Sequence, residues 1–155
     1  MSIIVSQNPR EIKEKYRSSE KRFLGVDFGE ARIGLALSDV GREIANPLAV
    51  VPAREAVREI AAICTREDVG LVVIGLPREM SGAEGAMVEK ARAFADLLAA
   101  ALPDEIELAF FDERLTTALA NRALIETADM SRAKRRQKLD AVAAAHLLQG
   151  FIDGV

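Results

Sequence analysis

The hydrophobic and polar residues in the first third of the chain alternate in a way that predicts strands. Phe23–Phe28 is an apolar run, Gly29–Ala31 has the composition of a turn, and Arg32–Ser38 is a second strand-like segment. These two strands are expected to form a hairpin. Leu48–Val51 predicts a third short strand before Pro52 opens a helix. The fold is therefore expected to begin with three antiparallel strands.

Helical and strand patterns alternate in the middle of the chain. Apolar residues at helical spacing predict a helix after Pro52 that ends near Gly70, and Leu71–Gly75 is typical of a strand covered on both faces. A second helix with an apolar face over Met87–Leu102 precedes a strand at Ile106–Phe111. Because crossovers in one sheet are right-handed, we expect these two strands to run parallel to the first, with helices on both faces.

The remaining segments are expected to surround this core. A helix is predicted from about residue 116 to 125, and a basic linker over residues 131–138 leads to a final Ala-rich helix at Leu139–Ile152. Residues 1–22 carry charges of both signs, which predicts a flexible, solvated extension with room for one short helix. Residues 23–155 are then one α/β domain with a mixed five-stranded sheet, a size that one core can stabilise.

Acidic residues stand at the carboxyl ends of the predicted strands, where ligands of open α/β sheets gather. Asp27 interrupts the first strand, and Glu113 follows the last one. Asp140 lies in register with the apolar face of the final helix. Three converging acids would repel one another unless a cation lay between them, and carboxylates without His or Cys select Mg²⁺ or Mn²⁺. Phosphoryl transfer is the chemistry that uses such a cluster.

Each acid taken singly has a simpler interpretation. Asp27 could be a turn residue, Glu113 could pair with Arg114, and Asp140 could stabilise the start of a helix through the macrodipole. Their shared location favours the metal site over three unrelated roles.

The distribution of charge along the chain leads to a different expectation from the net charge alone. The net charge of −3 argues against a nucleic-acid binder, yet the chain combines an acidic core with two basic segments. One of them precedes Asp140 and contains no acid; its basic residues are Arg132, Lys134, Arg135, Arg136 and Lys138. Such a run is usually a solvated face, but beside a metal site it would attract a polyanionic backbone. Aromatic residues are only 5% of the chain, so we do not expect binding through base stacking.

The cysteine content and the lengths of the apolar runs bear on the compartment. The one cysteine, Cys64, has apolar neighbours that predict a buried thiol, and it has no intrachain partner for a disulfide. No apolar run approaches the ~18 residues that a membrane span needs. We therefore expect a cytoplasmic protein without a membrane partner.

Five motifs, in their order and spacing, are similar to those of the bacterial YqgF-type nucleases. They cover about residues 23–152 and read Gly25-Val26-Asp27-Phe28-Gly29, Arg32-Ile33-Gly34, Ile74-Gly75-Leu76-Pro77, Asp112-Glu113-Arg114-Leu115, and Asp140 with Ala143-Ala144. The resemblance implies a ribonuclease H-like fold and a divalent-metal phosphodiesterase. It also implies that Asp27, Glu113 and Asp140 are the catalytic acids and the metal ligands.

The leading hypothesis is a metal-dependent endonuclease that acts on structured nucleic acid. Precursor rRNA, with maturation of the 5′ end of 16S rRNA, is favoured over Holliday junction DNA as its substrate. The residues expected to bind substrate phosphates are Arg32, Arg114, Lys134, Arg135, Arg136 and Lys138. A module that binds rRNA without cutting is a second hypothesis. An ATP-using enzyme of the sugar-kinase and actin type is a third, disfavoured because it needs two lobes.

Overall fold

The computed structural model describes residues 8–77, 83–113 and 128–154. The strands are β1 Arg22–Asp27, β2 Arg32–Ser38, β3 Ala45–Pro52, β4 Val69–Pro77 and β5 Glu107–Glu113. The helices are α1 Pro9–Lys15, α2 Ala56–Arg66, α3 Ala83–Ala101 and α4 Arg132–Ile152, with a 3-10 turn at Ala53–Glu55. The helix expected near residues 116–125 lies outside the described residues.

The five strands form one mixed sheet in the order β3-β2-β1-β4-β5. β1 pairs antiparallel with β2, and β2 with β3, whereas β4 runs parallel to β1 and β5 parallel to β4. The predicted three antiparallel and two crossover strands are therefore confirmed. The carboxyl ends of β1, β4 and β5 meet at one edge of the sheet, where Asp27 pairs with Gly75 and Pro77 with Glu113.

Alternate residues of the strands supply two hydrophobic cores on opposite faces of the sheet. Leu24 and Val26 face the core that α2 and α3 cover, while Phe23 faces the core that α1 and α4 cover. This alternation is the period of two that an extended chain imposes. Cys64 of α2 is buried, and burial raises the pKa of its thiol to about 12. The prediction of a buried thiol is confirmed.

Two strand glycines allow α4 to lie unusually close to the β1–β2 hairpin. A Cβ atom at Gly34 would lie 2.1 Å from the carbonyl oxygen of Asp140, and one at Gly25 would lie 2.8 Å from Leu148 Cβ. Neither position has room for a side chain. Because Gly34 pairs with Asp27 across the ladder, this contact brings the backbone of Asp140 beside the end of β1.

The expectation of a solvated amino-terminal extension is wrong for residues 8–22. Ile12 of α1 and Tyr16, which directly follows the helix, lie about one turn apart and are 4% and 7% exposed, packed in the same core as α4. The Tyr16 hydroxyl lies 2.8 Å from the Gly70 carbonyl oxygen and 2.7 Å from Glu107 Oε1. The many charges of this segment occupy the solvent side of the helix and mask a short apolar face. The proposed domain boundary at residue 23 stays a prediction.

Arg42 ties the chain between α1 and β1 to the β2–β3 turn. It is 9% exposed, and its guanidinium donates to the carbonyl oxygens of Tyr16, Ser19, Lys21 and Val40 at 2.6–2.9 Å. The planar, five-donor guanidinium suits this arrangement, whereas a lysine ammonium has only three donors.

The expected basic linker over residues 131–138 is also wrong, because α4 already begins at Arg132. The Ser131 side chain caps it by accepting a hydrogen bond from the Lys134 backbone N–H at 3.3 Å. Buried residues on α4 start only at Ala141, so an apolar pattern gives no sign of the first two turns. Arg, Lys and Gln are nevertheless good helix formers, and they continue the helix past its packed part. None of the helices in the described parts of the chain is long and apolar enough to cross a membrane.

Candidate active site

A polar cleft of about 190 Å³ lies at the carboxyl end of β1. Its walls are Asp27, the following loop of residues 28–31, Arg32 at the start of β2, and Asp140 on α4. Two of the three acids predicted from the sequence therefore line the same cleft. They meet because β1 ends at Asp27, and because the bare backbone of Gly34 lets α4 approach at Asp140.

The environment of Asp27 opposes its negative charge. Burial, and secondly the charge of Asp140, raise the pKa of the Asp27 carboxyl to about 6. A cation in the cleft would stabilise this carboxylate. Hard oxygen donors of this kind suit a hard divalent cation.

Asp140 has a partner within the chain. Arg32 Nε donates to Asp140 Oδ2 at 2.8 Å, and the two side chains are 36% and 27% exposed. A partly buried carboxylate needs a cation or an arginine to balance its charge, and Arg32 is that arginine. The predicted contact of Arg32 with substrate remains a prediction, since its guanidinium is held by the acid in this structure.

Glu113 is the last residue of β5, and its backbone pairs with that of Pro77. Across the parallel strands, Asp27 of β1 pairs with Gly75 of β4, and Gly75 pairs with Phe111 of β5. Position 113 therefore lies two residues further along β5 than the level of Asp27, toward the same edge of the sheet. The Glu113 side chain and all of Arg114 lie outside the described set. Among side chains within that set, no three His, Cys, Asp or Glu residues form a metal-binding group. The third ligand stays a prediction.

The basic residues of α4 divide between different sides of the helix. Arg132 and Arg136 precede Asp140 by two turns and one turn, so they share its side. Lys134 and Lys138 instead line a groove of about 360 Å³ against β3. Arg135 donates to the Ala128 carbonyl oxygen at 3.0 Å. The cluster is therefore brought near the cleft only in part.

The first turn of α4 contains basic residues and no acid. The helix macrodipole makes this terminus positive already, so each added cation there destabilises the helix by about 0.3–1 kcal/mol. The positive charge of this terminus would attract an anion, and a phosphate is one anion that it suits.

Sequence reasoning missed two features of the cleft. Gly34 controls the approach of Asp140, and the signal for it was a glycine inside a strand pattern, which often marks a close backbone contact. Glu30, on the cleft wall, pairs with Lys90 Nζ of α3 at 2.9 Å. No local pattern connects two residues so distant in sequence, so nothing in the sequence indicated that pair.

Comparisons with known proteins agree with this geometry. A family model described as "RuvX: Holliday junction resolvase" matches residues 21–154. A protein of Chelativorans sp. named "Putative pre-16S rRNA nuclease" is 42% identical over 90% of this chain and 88% of its own length. One of the same name from Anaeromyxobacter sp. is 48% identical over 86% and 97%. The RuvC of T. thermophilus bound to a Holliday junction superposes with a TM-score of 0.54 at 17% identity, covering 86% of this chain and 94% of that one. These matches confirm the resemblance seen in the motifs, and the last one confirms the ribonuclease H-like fold.

Proposed function

The chain is a nuclease that belongs to the RuvX family, and from this premise we propose that it is a divalent-metal endonuclease that matures the 5′ end of precursor 16S rRNA. The observation that carries the proposal is the cleft at the carboxyl edge of the sheet, which Asp27 and Asp140 both line. The names of relatives at 42–48% identity support rRNA as the substrate. The proposal includes a cytoplasmic location, where such a substrate would be processed.

The cleft residues fit a divalent cation. Asp27 and Asp140 offer only carboxylate oxygens, and the pKa of Asp27 is raised first by burial and then by the charge of Asp140. Together with Glu113, they would hold Mg²⁺ or Mn²⁺. When bound, such ions activate water and stabilise the leaving oxygen of a phosphodiester.

The other residues of the site bind and orient the substrate in this proposal. Arg136 and Arg132 follow the side of α4 that carries Asp140, so they are suited to hold phosphates that flank the bond to be cut. The remaining proposed phosphate contacts are Arg32, Arg114, Lys134, Arg135 and Lys138. Each would contribute charge rather than base recognition, because the cleft wall has only Phe28 as an aromatic residue and that ring packs against Phe94.

Cleavage assays with purified protein test the proposal. Precursor 16S rRNA is incubated with Mg²⁺ or Mn²⁺ and the wild type, Asp27→Asn, Glu113→Gln or Asp140→Asn. We expect each substitution to lower the rate by about a hundredfold or more, since each removes a group that stabilises the transition state. Asp112→Asn is the matched control: it removes an exposed acid next to Glu113, and the rate should remain. Equal rates in all variants would contradict the assignment.

A four-way DNA junction in the same assay tests the alternative substrate that the family description names. Cutting of the junction and not of the RNA would make the protein a resolvase. Binding of RNA without cutting by any variant would favour the non-cutting module. Sequencing 16S rRNA ends after depletion should show unprocessed 5′ ends if the proposal is right.

A further inference from the structure

The ion pair between Arg32 and Asp140 occupies an oxygen that a metal would need. Arg32 Nε donates to Asp140 Oδ2 at 2.8 Å, and both residues line the cleft with Asp27. Because Gly34 has no Cβ atom, the backbone of Asp140 lies against β2, close to the end of β1 that carries Asp27. The guanidinium is therefore what balances Asp140 in the metal-free protein.

We propose that Arg32 is a positioning residue that holds Asp140 for the incoming cation and is then released by it. This rests on the proposed function, because Asp140 must be a metal ligand. The guanidinium and the cation compete for the same carboxylate. Arg32 thus weakens metal binding, and metal binding frees Arg32.

The released guanidinium has a second use at the same place. It stands at the start of β2 on the wall of the cleft, and its planar fork of donors matches two phosphate oxygens. A cation in the cleft therefore produces a phosphate-binding group that the metal-free protein keeps paired. Metal and nucleic-acid binding reinforce each other in this scheme, because each favours the state in which Arg32 has left Asp140.

A fixed structural ion pair is the alternative, and the chain offers a comparison for it. Glu30 and Lys90 form a 2.9 Å pair at the rim of the same cleft, with side chains 60% and 53% exposed. Lys90 brings a similar positive charge to the region, but it is bonded to neither Asp27 nor Asp140. Its removal reports the general electrostatic effect on a bound cation.

The first experiment titrates Mn²⁺ into the metal-free, full-length protein and measures free Mn²⁺ by electron paramagnetic resonance. Arg32→Gln should bind Mn²⁺ about two- to fivefold more tightly than the wild type, the range expected from loss of a partly exposed competing pair. Arg32→Lys keeps the charge and should lie between the two, and Lys90→Gln should match the wild type. An unchanged or weakened affinity in Arg32→Gln, or an equal gain in Lys90→Gln, would overturn the proposal.

The second experiment follows the arginine Nε–H groups of the wild type by NMR while Mg²⁺ is added. The Arg32 signal, identified by its absence in Arg32→Gln, should move from a hydrogen-bonded to a solvent-exchanging position. Arg66 is the matched control, since its Nε donates to Glu67 Oε2 at 3.2 Å away from the cleft. An Arg32 signal that stays in place at saturating Mg²⁺ would overturn the exchange.

These readouts separate the inference from the nuclease assignment. A wild type that cleaves nothing but shows both metal effects would reject the reaction and support the Arg32 exchange. An active wild type whose Arg32 does not respond would reject the exchange alone. A wild type that binds neither Mn²⁺ nor Mg²⁺ would overturn both.

Discussion

The two ends of the sheet treat polar groups in opposite ways. At the amino end, where α1 packs, the Tyr16 hydroxyl and the Arg42 guanidinium are buried and fully bonded to carbonyl and carboxylate oxygens. At the carboxyl end, Asp27 is partly buried beside Asp140 with a raised pKa, and α4 begins with basic residues that oppose its dipole. The polar groups at the amino end are paired within the fold, whereas Asp27 at the carboxyl end keeps an unfavourable negative charge.

This contrast indicates where stability and function are located. Substitutions at the amino end should change the free energy of unfolding and leave chemistry alone. Those at the carboxyl end should lower activity and, where they remove an unfavourable charge, raise stability.

Gly34→Ala should have the largest effect, because it affects both properties. Its Cβ would lie 2.1 Å from the Asp140 carbonyl oxygen, so α4 must shift. We expect a loss of about 3 kcal/mol in the free energy of unfolding, measured with urea, and about a hundredfold slower cleavage. Gly41→Ala is the control, because its Cβ meets no atom closer than 3.5 Å. A stable, active Gly34→Ala would show that α4 does not need this contact.

Asp27→Asn should stabilise the metal-free protein while abolishing activity. The folded pKa of Asp27 is about 6 against an ordinary value of 3.8, so the folded state binds the proton more tightly. Ionised Asp27 therefore lowers the free energy of unfolding. This penalty is absent below about pH 4, grows as the pH rises to 6, and reaches about 2–3 kcal/mol at pH 7. The free energy of unfolding is measured with urea in the presence of a chelator at pH 4 and pH 7. The variant should be more stable than the wild type only at pH 7. A pH-independent difference would contradict the buried charge.

Tyr16→Phe should act at the amino end alone. It removes the hydroxyl that reaches Gly70 and Glu107, which should cost about 1–2 kcal/mol of stability and leave the cleavage rate unchanged. Lys15→Gln removes the other partner of Glu107. Because the Lys15 side chain is 61% exposed, its ion pair contributes little, and this variant should lose much less stability than Tyr16→Phe. A fall in cleavage rate at a temperature where Tyr16→Phe is fully folded would show that the two ends are coupled.

Arg132→Gln should give the smallest change, and it should affect RNA binding and protein stability in opposite directions. Loss of a cation at the first position of α4 should raise helix stability by a few tenths of a kcal/mol, about the size of a macrodipole effect. RNA affinity should fall, and the slope of its logarithm against log salt should decrease by about one. Lys13→Gln, in the last turn of α1, removes a cation that favours its helix and should slightly destabilise the protein. Unchanged RNA binding would remove Arg132 from the interface.

The sheet could be predicted from the sequence because it follows local rules. Apolar runs identified the strands, and the strand ends placed positions 27 and 113 at one edge of the sheet, while the roles of the acids stay predictions. The two wrong predictions concern residues 8–22 and 131–138, in which charged side chains cover helices. Ile12 and Tyr16 form an apolar face that is too short to produce a helical pattern in the sequence. The first turns of α4 have no buried apolar residue. The pairing of Arg32 with Asp140 depends on how α4 lies on the hairpin, which no local pattern contains.

The contacts of Tyr16 have a consequence for the order in which the chain assembles during synthesis. α1 leaves the ribosome before the sheet, yet its tyrosine binds Gly70 of β4 and Glu107 of β5, 54 and 91 residues later. The helix is too short to persist alone and must wait until β5 has been made. A segment that is synthesised before the sheet is thus among the last to reach its native position.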